Sequence, residues 1–210
     1  MSTNTWQAII HAATEWKVDI ISMSFGGSYE LPEIKQGVRE AFHLGVTMFT
    51  AASNDGGLST VAFPANLRQV ICVNSFDGYG RPSNFNPEAK PGTNLAVLGE
   101  FVEAAWSSLV TDTKTVRKAG TSVATPIAAA IAAMFLEYSR QDGPAGSKIG
   151  NPSQLRHCDE MRRALQCMTR NIGGFQCLVP GDLFYKRFKN RTMHSVICSK
   201  INGILRGLPL

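Results

Sequence analysis

The sequence predicts an α/β fold of three layers, with helices on both faces of a largely parallel sheet. Two observations carry that expectation. Over residues 1–140, short runs rich in β-branched and apolar residues alternate with amphipathic stretches of helical period. The connections between them are tight, and strand–helix–strand units joined this way pair in parallel through right-handed crossovers.

The elements follow in order. Trp6, Ile9, Ile10, Ala13 and Trp16 fall at helical spacing, so 5–16 is an amphipathic helix. Residues 18–24 (VDIISMS) form a short apolar run suited to a strand covered on both faces. Pro32 opens a second helix, Ile34, Val38, Ala41 and Phe42 give it a buried stripe, and Gly45 ends it. Residues 46–52 and 70–74 are two further buried strands. Shorter strands and turns such as Asp77-Gly78 and Lys90-Pro91-Gly92 fill the stretch from 74 to 118. A long helix follows over 122–138. Its apolar run, 127–136, is shorter than the roughly 18 residues a membrane span needs and reads as a buried helix. Breaker-rich residues 141–152 (QDGPAGSKIGNP) are expected to be a linker, and 154–171 one helix ended by Asn171-Ile172-Gly173-Gly174. The rest is weakly patterned, and no internal repeat is present.

Three segments carry chemistry. Gly120-Thr121-Ser122-Val123-Ala124-Thr125-Pro126 runs straight into the small-residue start of the long helix. A nucleophilic serine gains from a helix N-terminus, where unpaired N–H groups and the dipole favour developing negative charge. An isolated Ser122 would read as an ordinary N-cap, but the whole segment outweighs that reading. Thr50-Ala51-Ala52-Ser53-Asn54-Asp55-Gly56-Gly57 sits at the C-terminal end of a buried strand, the edge where open α/β sheets bind ligands. Asn54 can present an amide N–H there, or simply favour the turn. Ser22-Met23-Ser24-Phe25-Gly26-Gly27 is another strand end, able to add a peptide by β-pairing.

Together these segments resemble the subtilase family of serine proteases. Ser122 matches the nucleophile of its Gly-Thr-Ser-x-Ala-[Ser/Thr]-Pro motif, Asn54 the oxyanion asparagine of Ala-x-[Gly/Ser]-Asn-x-Gly, and Ser24-Phe25-Gly26 the Ser-Leu-Gly-like strand that binds substrate backbone. Phe63-Pro64-Ala65, Val70 to Val73 and Arg81 to Phe85 resemble the family's connecting pieces. The resemblance covers about residues 6–138. It implies a subtilisin-like sheet and an endopeptidase in which Ser122 attacks the scissile carbonyl while its own N–H and Asn54 stabilise the oxyanion. It also implies that Ser24, Phe25, Gly26, Ala51, Ala52 and Ser53 bind substrate, with Phe25 and Ala51 to Ser53 in the pocket wall. An Asn at position 54, where the related sedolisins carry an Asp, favours the subtilisin-like chemistry.

The family's Asp and His motifs precede the serine, and neither Asp-[Ser/Thr]-Gly nor His-Gly-Thr occurs in the chain. His11 and His43 fall within expected helices, and His157 and His194 lie beyond the resemblance. Residues 1–140 are thus expected to be an N-terminally incomplete catalytic domain, inactive alone, whose open strand edges favour association. Its partners would be a peptide or protein substrate and the missing N-terminal part. A non-catalytic relic that at most binds peptides is the alternative.

Composition sets the remaining bounds. Hydrophobic residues make up 44% and charged residues 18%, a globular balance. The net charge of +5 concentrates after Arg140, where Asp142, Asp159, Glu160 and Asp182 are the only acids. Residues 153–210 are therefore expected to be a basic, cysteine-containing extension. Without aromatics interleaved among the cations, a solvated tail is the reading preferred over a nucleic-acid binder. Cys72, Cys158, Cys167, Cys177 and Cys198 form no Cys-x-x-Cys pair, which argues against a zinc site and leaves free thiols as the expectation. No acidic cluster suggests calcium, so no cofactor is expected. The polar start at residues 1–7 lacks a signal-peptide pattern, and the default compartment is cytoplasmic.

Overall fold

The computed structural model describes residues 4–107, 114–141, 148–181 and 193–207. Helices α1 (Asn4–Thr14) and α2 (Pro32–His43) alternate with strands β1 (Ile20–Met23) and β2 (Thr47–Ala51), and β3 (Ile71–Phe76) and β4 (Leu95–Leu98) follow. A hairpin of β5 (Val102–Ala105) and β6 (Thr115–Lys118) precedes the long helix α3 (Thr121–Arg140). Beyond it come a 3₁₀ turn (Pro152–Arg156), α4 (Cys158–Gln166), β7 (Thr169–Ile172), β8 (Phe175–Leu178) and α5 (Met193–Leu205).

Six strands form one sheet in the order β1-β2-β3-β4-β8-β7, and every pairing is parallel except β7 with β8. Side chains alternate across β2 as the strand pleat requires. Met48 faces a core with Ile9, Ile34, Val38 and Ala41 of α1 and α2, and Phe49 faces a second core with Ala124, Ala128 and Leu136 of α3. These are the three expected layers.

Helix α3 is longer than the 127–136 run. At 20 residues and a mean hydropathy of 1.3 it would suffice, by length and composition, to cross a membrane. It lies instead across β1 to β4, with Ala124, Ala128, Ala132, Phe135 and Leu136 buried against the sheet.

The region after residue 148 departs from expectation. Residues 154–171 are not one helix: the chain turns at His157, restarts as α4, and then extends into β7. Gly173 and Gly174, both at positive φ, form the two-residue turn of a β-hairpin, and Ile172 pairs with Phe175 across it. Strand β8 joins the main sheet beside β4. Leu155, Met161, Leu165, Met168, Leu178, Ile197 and Ile201 enter the core that holds Phe49 and Val73. The described part of 153–210 is thus no solvated tail; it covers one face of the sheet and extends it. Half of the expected linker, residues 142–147, lies outside the described residues.

One carboxylate links this region to both β1 and α3. Asp19, just before β1, meets Arg156 at 2.6 Å and Arg140 at the end of α3 at 2.5 Å. No disulfide joins the five cysteines, and Cys72, Cys158, Cys177 and Cys198 are buried.

Candidate functional site

Three backbone termini converge at the C-terminal edge of the sheet: the ends of β1 and β2 and the start of α3. Between them opens a cleft of about 680 Å³. Ser24, Phe25, Gly26, Ala51, Ser53, Asn54 and Ser122 all line it. Ala52 does not; it is fully buried beneath the strand, packed with Ala65 and Cys72. The sequence reading also missed the opposite wall, residues 58–63, and Asn66. That wall is fixed by reciprocal backbone bonds of 2.9 Å between Gly27 and Phe63, a long-range pairing with no local signature.

Ser122 is the second residue of α3 and is exposed. The first N–H groups of a helix have no partner within it. Here the Thr121 N–H donates to Asn54 Oδ1 at 2.8 Å, while no acceptor for the Ser122 N–H occurs among the described residues. The Ser122 hydroxyl donates weakly to the Ser24 carbonyl at 3.4 Å. In return, the Ser24 hydroxyl donates to the Ser122 carbonyl at 2.8 Å.

The bond to Thr121 also orients Asn54. A backbone N–H can only donate, so the atom it meets must be the amide oxygen, which leaves the NH₂ group as the free end. That group lies against Gly120, whose φ of +146° suits glycine; a Cβ built there would stand 3.3 Å from Nδ2. The preceding turn is held by Ser53, whose hydroxyl lies 3.1 Å from Asp55 Oδ2 and accepts the Asp55 N–H at 3.2 Å. The geometry therefore presents an exposed hydroxyl beside a free backbone N–H at a helix start. A pinned amide borders the same opening, an arrangement able to receive an oxyanion.

No histidine lines the cleft among the described residues. His11 sits near the end of α1 against Trp16, and His43 ends α2. The His157 ring lies at Gly45, just before β2. All three stand toward the N-terminal edge of the strands, opposite Ser122. The His194 side chain is outside the described residues. No group of three His, Cys, Asp or Glu side chains able to hold a metal ion occurs among the described residues.

Comparison with known proteins agrees with this arrangement. The subtilase family model, Peptidase_S8, matches residues 1–164. The major intracellular serine protease of Bacillus subtilis (strain 168) is 33% identical over 136 residues, spanning 63% of this chain and 41% of that protein. Subtilisin DY of Bacillus licheniformis is 31% identical over 140 residues, spanning 64% of this chain and 49% of its own length. The chain thus spans less than half the length of these two relatives. Among solved structures, the prenylagaramide maturation protease PagA superposes with a TM-score of 0.67 at 20% identity, covering 96% of this chain and 68% of that one. Sphericase does so with a TM-score of 0.60 at 24% identity, covering 78% and 56%. These two likenesses concern the fold.

Proposed function

This chain belongs to the subtilase family, and from that membership we propose that it forms the nucleophile-bearing part of a serine endopeptidase acting on peptide or protein substrates. Ser122 Oγ attacks the scissile carbonyl, and the Ser122 N–H and Asn54 Nδ2 receive the negative charge that develops on the carbonyl oxygen. Ser24 to Gly26 take the substrate backbone. The observation that supports this reading most is the 2.8 Å bond from the Thr121 N–H to Asn54 Oδ1, which leaves Nδ2 as the free end of a residue lining the same cleft as Ser122.

A serine hydroxyl needs a general base, and the base needs an orienting carboxylate. Both are supplied, in this reading, by sequence outside these 210 residues. The test is labelling by a fluorophosphonate probe. The chain alone remains unlabelled. Co-expression with an upstream segment bearing Asp-[Ser/Thr]-Gly and His-Gly-Thr yields labelling that Ser122→Ala abolishes. Labelling of the chain alone, lost in Ser122→Ala, would instead require a base within it.

A second reading, a peptide binder without catalysis, is favoured by the present partner of the Ser122 hydroxyl, a carbonyl that cannot take its proton. Native coding sequence upstream of Met1 that lacks both motifs would select this reading.

A further inference from the structure

The cleft beside Ser122 carries a charge pattern unlike that of the chain around it. The protein as a whole is cationic, with a net charge of +5. No Lys, Arg or His lines the cleft, whereas two carboxylates do, Glu30 and Asp55. They are not equivalent. Glu30 is matched by the Lys35 ammonium at 2.7 Å. Asp55 has only a neutral partner, the Ser53 hydroxyl at 3.1 Å. Its negative charge is therefore the one left uncompensated at the cleft.

Four hydroxyl-bearing residues, Ser24, Ser28, Ser59 and Thr60, also line the cleft, and a hydroxyl oxygen can accept from a cation even while its hydrogen is donated elsewhere. Such groups solvate a cation readily. Beside them lie apolar surfaces, Phe25, Ala51 and Val61. An apolar stem ending in a cationic head matches both, because lysine and arginine bury their methylenes while the head seeks a carboxylate or water.

We infer that this cleft takes peptides through a lysine or arginine side chain, with Asp55 as the residue that selects the positive charge. The inference rests on the peptide-binding role proposed for the cleft, catalytic or not, and adds the class of peptide. Asp55 needs no movement of the fold to act. It follows Asn54 directly, on a turn already held by Ser53 and by the Ser59 hydroxyl bonded to the Asp55 carbonyl at 3.1 Å.

Fluorescein-labelled hexapeptides that differ only in a central Lys, Leu or Glu test this on the 210-residue chain. Fluorescence anisotropy gives affinity, and amide hydrogen exchange reports where each peptide sits. The Lys peptide is expected to bind tightest, protect the amides of Phe25 and Gly26, and weaken as salt rises from about 0.05 M to about 0.5 M. Asp55→Asn weakens the Lys peptide about fivefold, as for an exposed ion pair, and leaves the Leu peptide unchanged. Glu30→Gln, whose charge Lys35 already offsets, has a smaller effect than Asp55→Asn.

Protection at Phe25 and Gly26 by the Leu peptide with equal or higher affinity, and no response to Asp55→Asn, would overturn the cationic preference while leaving peptide binding intact. If no peptide protects these amides, both the preference and the peptide-binding role fall.

Discussion

The hydroxyl of Ser24 donates to the carbonyl oxygen of Ser122 at 2.8 Å, and Pro126 explains why that oxygen is free. In an α-helix the carbonyl of residue 122 would accept the N–H of residue 126. Proline has none, so the first turn of α3 keeps an orphan acceptor beside the nucleophile candidate. Ser24, 98 residues earlier in the chain, supplies the missing donor and ties the end of β1 to the start of α3.

This relationship predicts a double-mutant cycle. Ser24→Ala should lower stability by about 0.5–1 kcal/mol, toward the low end because the site is exposed. With Pro126→Ala in place, the new Ala N–H takes over the carbonyl and the cost of Ser24→Ala should vanish. Urea denaturation of the four proteins measures the coupling; additive effects would show that the two residues do not share this oxygen.

Asn54 has two ends, and substitutions can separate them. Asn54→Asp keeps an acceptor for the Thr121 N–H and places negative charge at a helix N-terminus, so stability should be unchanged or slightly raised. Asn54→Leu removes the acceptor and should cost about 1 kcal/mol. Both remove the Nδ2 donor. In the assembly that labels with fluorophosphonate, both should therefore slow labelling, by about 10²–10³ if the loss matches that of an oxyanion donor in subtilisin. Full-rate labelling of Asn54→Asp would remove Asn54 from the proposed mechanism.

Gly120→Ala probes the same amide from the other side. The substitution combines a φ of +146° with a Cβ 3.3 Å from Asn54 Nδ2, and should destabilise by about 1–3 kcal/mol. Thermal unfolding of the variant would register it as a lowered Tm; an unchanged Tm would mean that the turn accommodates a side chain.

Alkaline pH should weaken the fold through its thiols. Burial pushes the Cys72 thiol up to about 12 and that of Cys158 up to about 11, with Arg162 opposing the shift at both. The unfolded chain ionises these groups near 9, so above that pH it binds fewer protons than the native state. Stability is then full below about pH 9 and falls as pH rises toward 11 and 12. Urea midpoints measured across this range should fall less steeply for Cys72→Ala than for the parent chain.

Much of the site was legible because its signals are local. The Gly120-to-Pro126 segment announces a helix start, and the runs ending at Ser24 and Ala52 announce strand ends; each needs only a few neighbouring residues to be recognised. Ala52 shows the limit. Adjacent residues on a strand face opposite sides, so it could not line the cleft on the same face as Ala51 and Ser53. The pleat was readable in advance, but which face opened to the cleft was not.

The region after residue 148 was misread for a related reason. Gly173-Gly174 between short apolar segments is a hairpin signal, yet it can equally end a helix, and 154–171 carries helical spacing up to Gln166. Only pairing with β4, some 80 residues earlier in the chain as the Asn94-to-Gly174 bond shows, favours the extended form.

By itself the sequence determined the alternation of strands and helices and the family, and it singled out Ser122 and Asn54 as candidates, because periodicity and short motifs act over a few residues. Tertiary structure decided what those residues meet: Ser24 bound to the carbonyl Pro126 leaves free, Asn54 turned by Thr121, and residues 153–178 completing the sheet and its core. These outcomes depend on contacts between segments far apart in the chain. Their energy comes from burial and from satisfying buried or orphaned polar groups, which no local pattern encodes.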